Sequence, residues 1–520
     1  LNSAPFAFNP PGNIMLAKEI TMTMQTRQDE PNAKSESPPA SVEAQVNQLL
    51  VALTLREKVA LLSGADAWRT VPIPRLGIPS LTMTDGPHGV RANRPEAGRK
   101  SSETTAFPTG VSMAASWNPD LIERVGAALG EETRGMDCDI LLGPCVNIVR
   151  HPLAGRNFEA YAEDPYLAGL IGAAWVKGVQ SQGVGTSLKH FACNNQEIER
   201  NRGNSLVDER TLREIYLPQF EHVVKTAHPW TVMCAYNRIN GVYASQQHYL
   251  LKDILKGEWD FAGVVVSDWG ANHTIFESVQ GGLDIEMPGP AKYYGNLLVE
   301  AVQNWQIDER DVDDAARRML RMIVKSGRMN GARPAGEINT PAHQALAREL
   351  AEEAITLLKN ENGLLPLDAS RIKTLAVIGP NAAEARVSGG GSSQVEPPHR
   401  VSPLQGLQAR LGDKVQIRYE QGCDNHIDLP QLKLDWITPL DGEGQGFTGE
   451  YFAQASLEGQ PALTRNIRLT EFFWFGSGPT EGISLNGFAT RWSANLTVPE
   501  TGRYTLRLDN SAFGSLAALS

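Results

Sequence analysis

Val264-Val265-Val266-Ser267-Asp268-Trp269-Gly270 is the stretch whose reading decides the fold of this chain. Three β-branched apolar residues run without alternation into a serine, a carboxylate, an indole and a glycine. A short continuous apolar run reads as a strand covered on both faces, as in a parallel sheet, and the glycine marks its end. Asp268 then falls at the carboxyl end of a core strand, where α/β folds carry reactive groups. The competing assignment is an N-cap for a following helix, because an aspartate there accepts from free backbone N–H groups.

The same alternation extends on both sides. Helical periodicity at 42–62 leads to an apolar strand at 81–84, and helix 119–134 leads to strand 140–142. Helix 166–181 leads to strand 186–188, helix 209–226 to strand 231–235, and helix 247–257 to strand 263–267. Helix 272–281 leads to strand 283–286. Strands alternating with helices indicate an α/β fold with a parallel sheet, and this many units favours a (β/α)8-type barrel over 41–329. A helix at 308–326 closes the block, with Val312, Ala316, Met319 and Ile323 on one face and Gly327 at its end. The Gly/Pro/Asn-rich stretch 330–341 reads as a linker. Residues 342–435 read as the first part of an α/β sandwich domain: helix 342–360, strand 374–379, the run Gly389–Gly391, and strand 415–419. From 436 to 520 the texture changes to that of a partial β-sandwich. There Tyr504, Leu506 and Leu508 alternate with Arg503, Thr505 and Arg507 as a half-buried strand at 503–509.

At 520 residues the chain is long enough for two or three domains. Its 41% hydrophobic and 21% charged content is that of a globular protein. A formal charge of -11 disfavours nucleic acid and anionic membrane as partners, since those surfaces select clustered Lys and Arg. No apolar run approaches the roughly 20 residues that span a bilayer. The five cysteines are spread out, without a CxxC pair, as expected of buried free thiols in a reducing compartment. No HExxH occurs, and the polar loops at the strand ends lack both a P-loop and a GxGxxG fingerprint, so neither metal nor nucleotide cofactor is expected. The stretch 1–40 lacks the basic start and apolar core of a secretory signal. It is expected to be disordered, and the protein cytoplasmic.

Polar clusters recur at the strand ends. Thr84-Asp85-Gly86-Pro87-His88-Gly89-Val90-Arg91 can hold a polyhydroxyl ligand, because carboxylates accept and guanidinium donates. The alternative is a tight turn with a solvated ion pair. In Gly155-Arg156-Asn157-Phe158-Glu159, Arg156 is the functional candidate, whereas Glu163 and Asp164 suit a helix start. Lys189-His190-Phe191 ends the third strand. Adjacent strand residues point to opposite faces, so Lys189 and His190 share a pocket only if the backbone is irregular there. In Met233-Cys234-Ala235-Tyr236-Asn237, Met233 and Tyr236 offer an apolar wall and a hydroxyl, as a sugar ring requires, although Met233 equally suits core packing. Five polar strand ends on one rim favour a small, multiply hydrogen-bonded ligand.

These motifs, in this order over 42–430, resemble glycoside hydrolase family 3, in particular its β-glucosidases. The resemblance implies a barrel followed by an α/β sandwich, with the active site between them. It implies a retaining, exo-acting hydrolase that removes terminal nonreducing β-D-glucosyl residues from β-glucosides or cello-oligosaccharides, with no cofactor. Asp268 is the implied nucleophile, forming a covalent glycosyl-enzyme. Asp85, Arg91, Arg156, Lys189, His190 and Tyr236 are the implied glucose ligands, with the Lys-His pair joined by a cis peptide. Met233 and Trp269 are implied to border the sugar sites, and Gly389-Gly390-Gly391-Ser392-Ser393 to fold over the sugar. Retention uses two carboxyl groups roughly 5–5.5 Å apart, one of them an ionised nucleophile for which Lys189 and Arg156 supply cationic neighbours.

Residues from about 440 resemble the insert, related to a domain of anthrax protective antigen, that some members carry in the sandwich domain. In such members the acid/base glutamate follows the insert, so this chain is expected to end before it, and Glu352, Glu353 and Glu396 are not assigned that role. The alternatives are a β-xylosidase or other β-glycosidase of the family, and a noncatalytic carbohydrate-binding remnant. Phe191-Ala192-Cys193-Asn194 lacks the Gly-His pair of members that cleave N-acetylglucosamine.

Overall fold

Five short strands form a parallel sheet in the spatial order β1 (Met83–Asp85), β2 (Ile140–Leu142), β3 (Gly185–Phe191), β4 (Thr231–Cys234) and β5 (Val264–Ser267). The computed structural model describes residues 40–92, 103–331, 333–423, 432–468, 479–480, 482–484 and 487–506. Val264, Val265 and Val266 have no exposed surface, which is why this strand shows no alternation. Covering each valine contributes roughly 1.5–3 kcal/mol.

Single-residue bridges continue the sheet. Val266 pairs with Ile285 and Glu286 with Ser63, both parallel; Gly64 then pairs with Thr70, and Arg69 with Thr82, both antiparallel. Thr82 immediately precedes β1, so the circuit closes into a barrel-like core. It is not a regular (β/α)8 barrel. The strand expected at 283–286 is reduced to bridges at Ile285 and Glu286. Beside it the Asp284 carboxylate accepts the Val265 N–H at 2.7 Å and pairs with Lys256 at 2.6 Å, so a side chain supplements the backbone ladder.

Half of the expected helices fall where the periodicity places them, three of them behind local caps. Asn118 accepts from Leu121 N–H ahead of helix Pro119–Gly135, and Asp164 accepts from Tyr166 and Leu167 ahead of Pro165–Ser181. These two helices pack at backbone distance: a Cβ on Gly178 would lie 2.0 Å from the Glu123 carbonyl oxygen. Helix Glu309–Lys325 buries Val312, Ala316, Met319 and Ile323, and Gly327 beyond it has φ 72°.

Four helices differ from expectation. Ala40–Ala52 and Leu55–Leu61 replace a continuous helix at 42–62, because Thr54 and Glu57 form a capping box that starts a new helix. Helix 209–226 is broken at Pro218, and before it Leu217 N–H bonds the Leu212 carbonyl in a widened turn. Helix 272–281 shrinks to Phe276–Gly281, since the Asn272 side chain turns inward to Glu286 and Ser278. Helix 342–360 ends at Ala354, where the β-branched pair Ile355-Thr356 leaves helical space, with Ile355 at ψ 110°.

The junction between the barrel and the following helix is pinned by Glu132. Its unexposed carboxylate accepts from the Thr105 N–H and hydroxyl and from the Asn339 N–H, and lies 2.9 Å from His343 Nδ1. Beyond helix Pro341–Ala354, β6 (Thr374–Ile378) and β7 (Gln416–Glu420) form a parallel pair. A further sheet is antiparallel, in the order β8 (Ile437–Pro439), β11 (Ala489–Leu496), β9 (Phe447–Phe452), β10 (Leu463–Ile467), over Tyr451, Ile467 and Ile483.

The strand expected at 503–509 is absent over 503–506. Tyr504 turns back to donate to the Glu500 carbonyl, leaving Tyr504 and Leu506 exposed, while 507–509 lie outside the described residues. The stretch expected to be disordered also lies outside them, apart from Ala40, which opens a helix.

Candidate active site

The polar strand ends meet at one end of the barrel. Asp268 directly follows β5, and the next helix begins only at Phe276, so the carboxylate is not a helix cap. Its N–H donates to the Cys234 carbonyl at the end of β4, and its Oδ1 accepts the Trp269 N–H at 2.8 Å. Its Oδ2 is buried and makes no hydrogen bond. A buried carboxylate oxygen left free of protein donors is positioned to meet something else.

His190 Nε2 faces that oxygen at 3.7 Å. Lys189 Nζ lies 3.8 Å from Asp85 Oδ1, and Arg91 lies 3.6 Å from Asp85 Oδ2. Lys189 and His190 therefore both reach the site. The ladder between β3 and β4 shifts register between Leu188 and Phe191, which is the irregularity that such a pair demands. The Lys189–His190 peptide is cis, as the resemblance implies. Burial pushes the Asp85 carboxyl up, against the opposing pull of Lys189 and Arg91. Burial, reinforced by the positive charges of Arg156, Lys189 and Arg200, holds His190 well below the ordinary histidine range.

Arg156 and Glu159 tie the barrel to the glycine run. Arg156 Nε donates to Glu159 Oε1 at 2.5 Å, and Glu159 Oε2 accepts from the Ser393 hydroxyl. Arg156 also approaches Ser392 Oγ at 3.4 Å, and Arg91 donates to the Ser392 carbonyl at 3.5 Å. Burial opposes ionisation of Glu159, but Arg156, Lys189 and Ser393 outweigh it and hold the carboxyl at about 2. A cavity of about 560 Å³ opens between Arg156, Phe158, Glu197, Arg200 and Gly389–Ser392.

Tyr236 donates to the Trp269 carbonyl at 2.9 Å, with Arg200 stacked 4.7 Å above its ring. Burial and the Asp268 charge push its phenol well above the ordinary tyrosine range. The Trp269 indole N–H donates to the Ala67 carbonyl, and its ring lies 5.5 Å from that of Trp68. Met233 is buried in the main apolar core. Glu352 pairs with Arg348, Glu353 accepts from Asn118, and Glu396 from Gln394, all at exposed positions.

Three participants escaped the sequence reading. Asn147 bonds His190 three times, and its signal was a lone amide inside the apolar run Cys145-Val146-Asn147-Ile148-Val149. Glu159 was visible in its motif but not as the link to Ser393. Trp68 stands beside Trp269, presented by a turn in which Asp66 Oδ1 accepts from the N–H groups of Trp68 and Arg69.

The geometry places a free buried carboxylate oxygen among acceptors and donors suited to ring hydroxyls, and chemistry of this kind has close counterparts. Residues 22–322 match the Glycosyl hydrolase family 3 N terminal domain, and 355–490 the Glycosyl hydrolase family 3 C-terminal domain. A β-glucosidase of Rhizobium radiobacter is 42% identical over 475 residues, covering 91% of this chain and 56% of that protein. An exo-α-(1→6)-L-arabinopyranosidase of Bifidobacterium longum is 45% identical over 370 residues, covering 69% and 48%. The structure of β-glucosidase 3B from Thermotoga neapolitana in complex with glucose shares 39% identity at TM-score 0.68, covering 72% of this chain and 55% of that one. The chain thus spans about half the length of the curated relatives it matches. On the match of its barrel and of the segment that follows, the chain belongs to glycosyl hydrolase family 3.

Proposed function

We propose that this chain carries the glycone-binding pocket and the nucleophile of a retaining, exo-acting β-glucosidase. The observation that carries the reading is Asp268 Oδ2, buried at the end of β5 without a hydrogen bond and flanked by His190. An ionised oxygen of this kind attacks the anomeric carbon, forming a glycosyl-enzyme that water later hydrolyses. Asp85 and His190 are disposed to accept from ring hydroxyls, while Lys189, Arg156 and Arg91 are disposed to donate. Such bonds strengthen as the ring flattens toward the oxocarbenium-like transition state. Glu159 is assigned to holding Arg156 and Ser393 rather than to proton donation, because a carboxyl at about 2 carries no proton near neutral pH. The Trp68–Trp269 pair offers an aromatic ledge to the leaving group. The antiparallel sheet over 437–496 is read as the protective-antigen-like insert. Its change from parallel to antiparallel strands supports this.

The arabinopyranosidase among the relatives favours a second reading, in which the sugar is a pentopyranose of the same ring size. Both readings are tested by incubating the protein with dinitrophenyl 2-deoxy-2-fluoro-β-glucoside and its xylo and arabino counterparts. These substrates need no acid catalysis to lose their aglycone, and the fluorine slows hydrolysis of the intermediate. The expected result is a 2-deoxy-2-fluoroglucosyl mass adduct on the peptide bearing Asp268, absent from Asp268→Asn. Preferential labelling by a pentoside moves the assignment to the second reading. Sugar binding with no label on any peptide leaves a carbohydrate-binding protein without turnover.

A further inference from the structure

We propose that Asn147 is a positioning residue of this site: it fixes His190 as the Nδ1–H imidazole, so that a bare Nε2 accepts from the substrate and cannot donate to Asp268. The inference deepens the nucleophile assignment and rests on it.

Asn147 follows β2 and is almost completely buried, only 5% exposed. Its Nδ2 donates to the His190 carbonyl at 2.9 Å, and its Oδ1 accepts the His190 N–H at 2.8 Å. A backbone N–H can only donate and a carbonyl can only accept, so these two bonds fix which end of the amide is oxygen. That same oxygen lies 3.2 Å from His190 Nδ1. An amide oxygen brings no proton, so a hydrogen bond there requires Nδ1 to carry one. Cys145 stands beside the pair, with Sγ 3.6 Å from Asn147 Oδ1 and 3.8 Å from His190 Nδ1. Burial pushes this thiol up to about 12, so it remains a weak donor.

The groups facing the imidazole are Cys145 and Asn147 after β2, Arg156 beyond them, Lys189 on β3, Arg200 after β3, and Asp268 after β5. Burial and three nearby cations keep the ring neutral, so it has a single proton. With that proton on Nδ1, Nε2 presents a lone pair. This agrees with the 3.7 Å gap to Asp268 Oδ2, where no hydrogen bond forms. A proton on Nε2 would instead point at Asp268 and occupy the electron pair needed for attack. A substrate hydroxyl is the donor that Nε2 awaits.

The test reads the ring directly. Protein labelled with ¹⁵N-histidine is examined by NMR, and His190→Gln identifies the His190 signals by their loss. The expected pattern is a pyrrole-type Nδ1 and a pyridine-type Nε2, unchanged through the neutral pH range. Asn147→Asp places a carboxylate opposite Nδ1, which favours the imidazolium and puts a second proton on Nε2. Its kcat/KM for an activated aryl β-glucoside is then expected to fall at neutral pH and recover as the pH rises. A loss from structural damage alone would not recover in this way. A pyrrole-type Nε2 in the parent protein overturns the proposal, as does an Asn147→Asp profile parallel to the parent's. If the variant fails to fold, the parent spectrum decides. Absence of turnover on every glycoside would remove the nucleophile assignment while leaving the tautomer to the spectrum.

Discussion

Asp85 is bracketed by two cations, with Lys189 3.8 Å from one oxygen and Arg91 3.6 Å from the other, whereas Asp268 keeps one oxygen free. Two buried carboxylates are thereby placed in different surroundings, which is the basis for the different roles proposed for them. Burial already raises the Asp85 carboxyl, and Lys189 is the strongest opposing influence. Removing that charge in Lys189→Met allows Asp85 to rise further. In the role proposed for Asp85 the ionised form accepts from sugar hydroxyls, so activity that depends on it is lost as pH falls through the Asp85 pKa. The acid limb of kcat/KM against pH is therefore expected to move to higher pH. Well above that limb, loss of one charge-assisted hydrogen bond, roughly 1.5–3 kcal/mol, lowers kcat/KM by about 10- to 100-fold. An acid limb that stays in place would show that Asp85 does not govern binding.

At the scale of elements, the helix after the barrel is seated by His343, which lies 2.9 Å from Glu132 and 3.3 Å from Glu131. Burial works to lower the His343 pKa, but the two carboxylates more than offset it and raise it above the ordinary histidine value. A raised folded-state pKa stabilises the fold fully below the unfolded value, and that stability disappears as pH rises through the folded one. His343→Gln keeps a neutral donor and removes the titration. The Tm difference between parent and variant is expected to be largest in mild acid and to narrow toward alkaline pH, as read by thermal unfolding across pH. A difference independent of pH would assign His343 to packing alone. The elements that sequence made legible are those whose signals are local: the valine run of β5, Asp164 as a cap, and the face of helix Glu309–Lys325. Barrel closure was illegible because Ser63, Thr70 and Glu286 each contribute a single bridge. The same holds at the site. Asp268, Asp85 and His190 announce themselves at strand ends, while Asn147 and Ser393 act only through partners far along the chain.

Across the whole molecule, the barrel and the segment that follows it meet at the glycine run, and that seat forms part of the wall of the cavity lined by Arg156 and Arg200. Gly389 packs flat on Phe158, where an added Cβ would lie 2.4 Å from the ring. No rotation of a methyl group relieves such a contact, so Gly389→Ala must lift the loop or shift the ring. Lifting the loop also breaks the bond from Ser393 to Glu159, leaving a buried carboxylate oxygen without its donor, at a cost of about 1–3 kcal/mol. Ser393→Ala removes that donor without a wedge. Both variants are expected to raise amide hydrogen exchange across 388–395 and to weaken binding of a monosaccharide ligand, while exchange in β1–β5 stays protected. Gly406→Ala is the control, because a Cβ there meets nothing within 4 Å and the residue sits inside helix Pro403–Leu411. In that helix alanine is favoured over glycine by roughly 1 kcal/mol, so the control should be neutral or slightly stabilising. If Gly389→Ala behaved like Gly406→Ala, the loop would be resting on the barrel without being held by it. The cavity wall would then owe nothing to Glu159, and its deep carboxyl pKa would serve Arg156 alone.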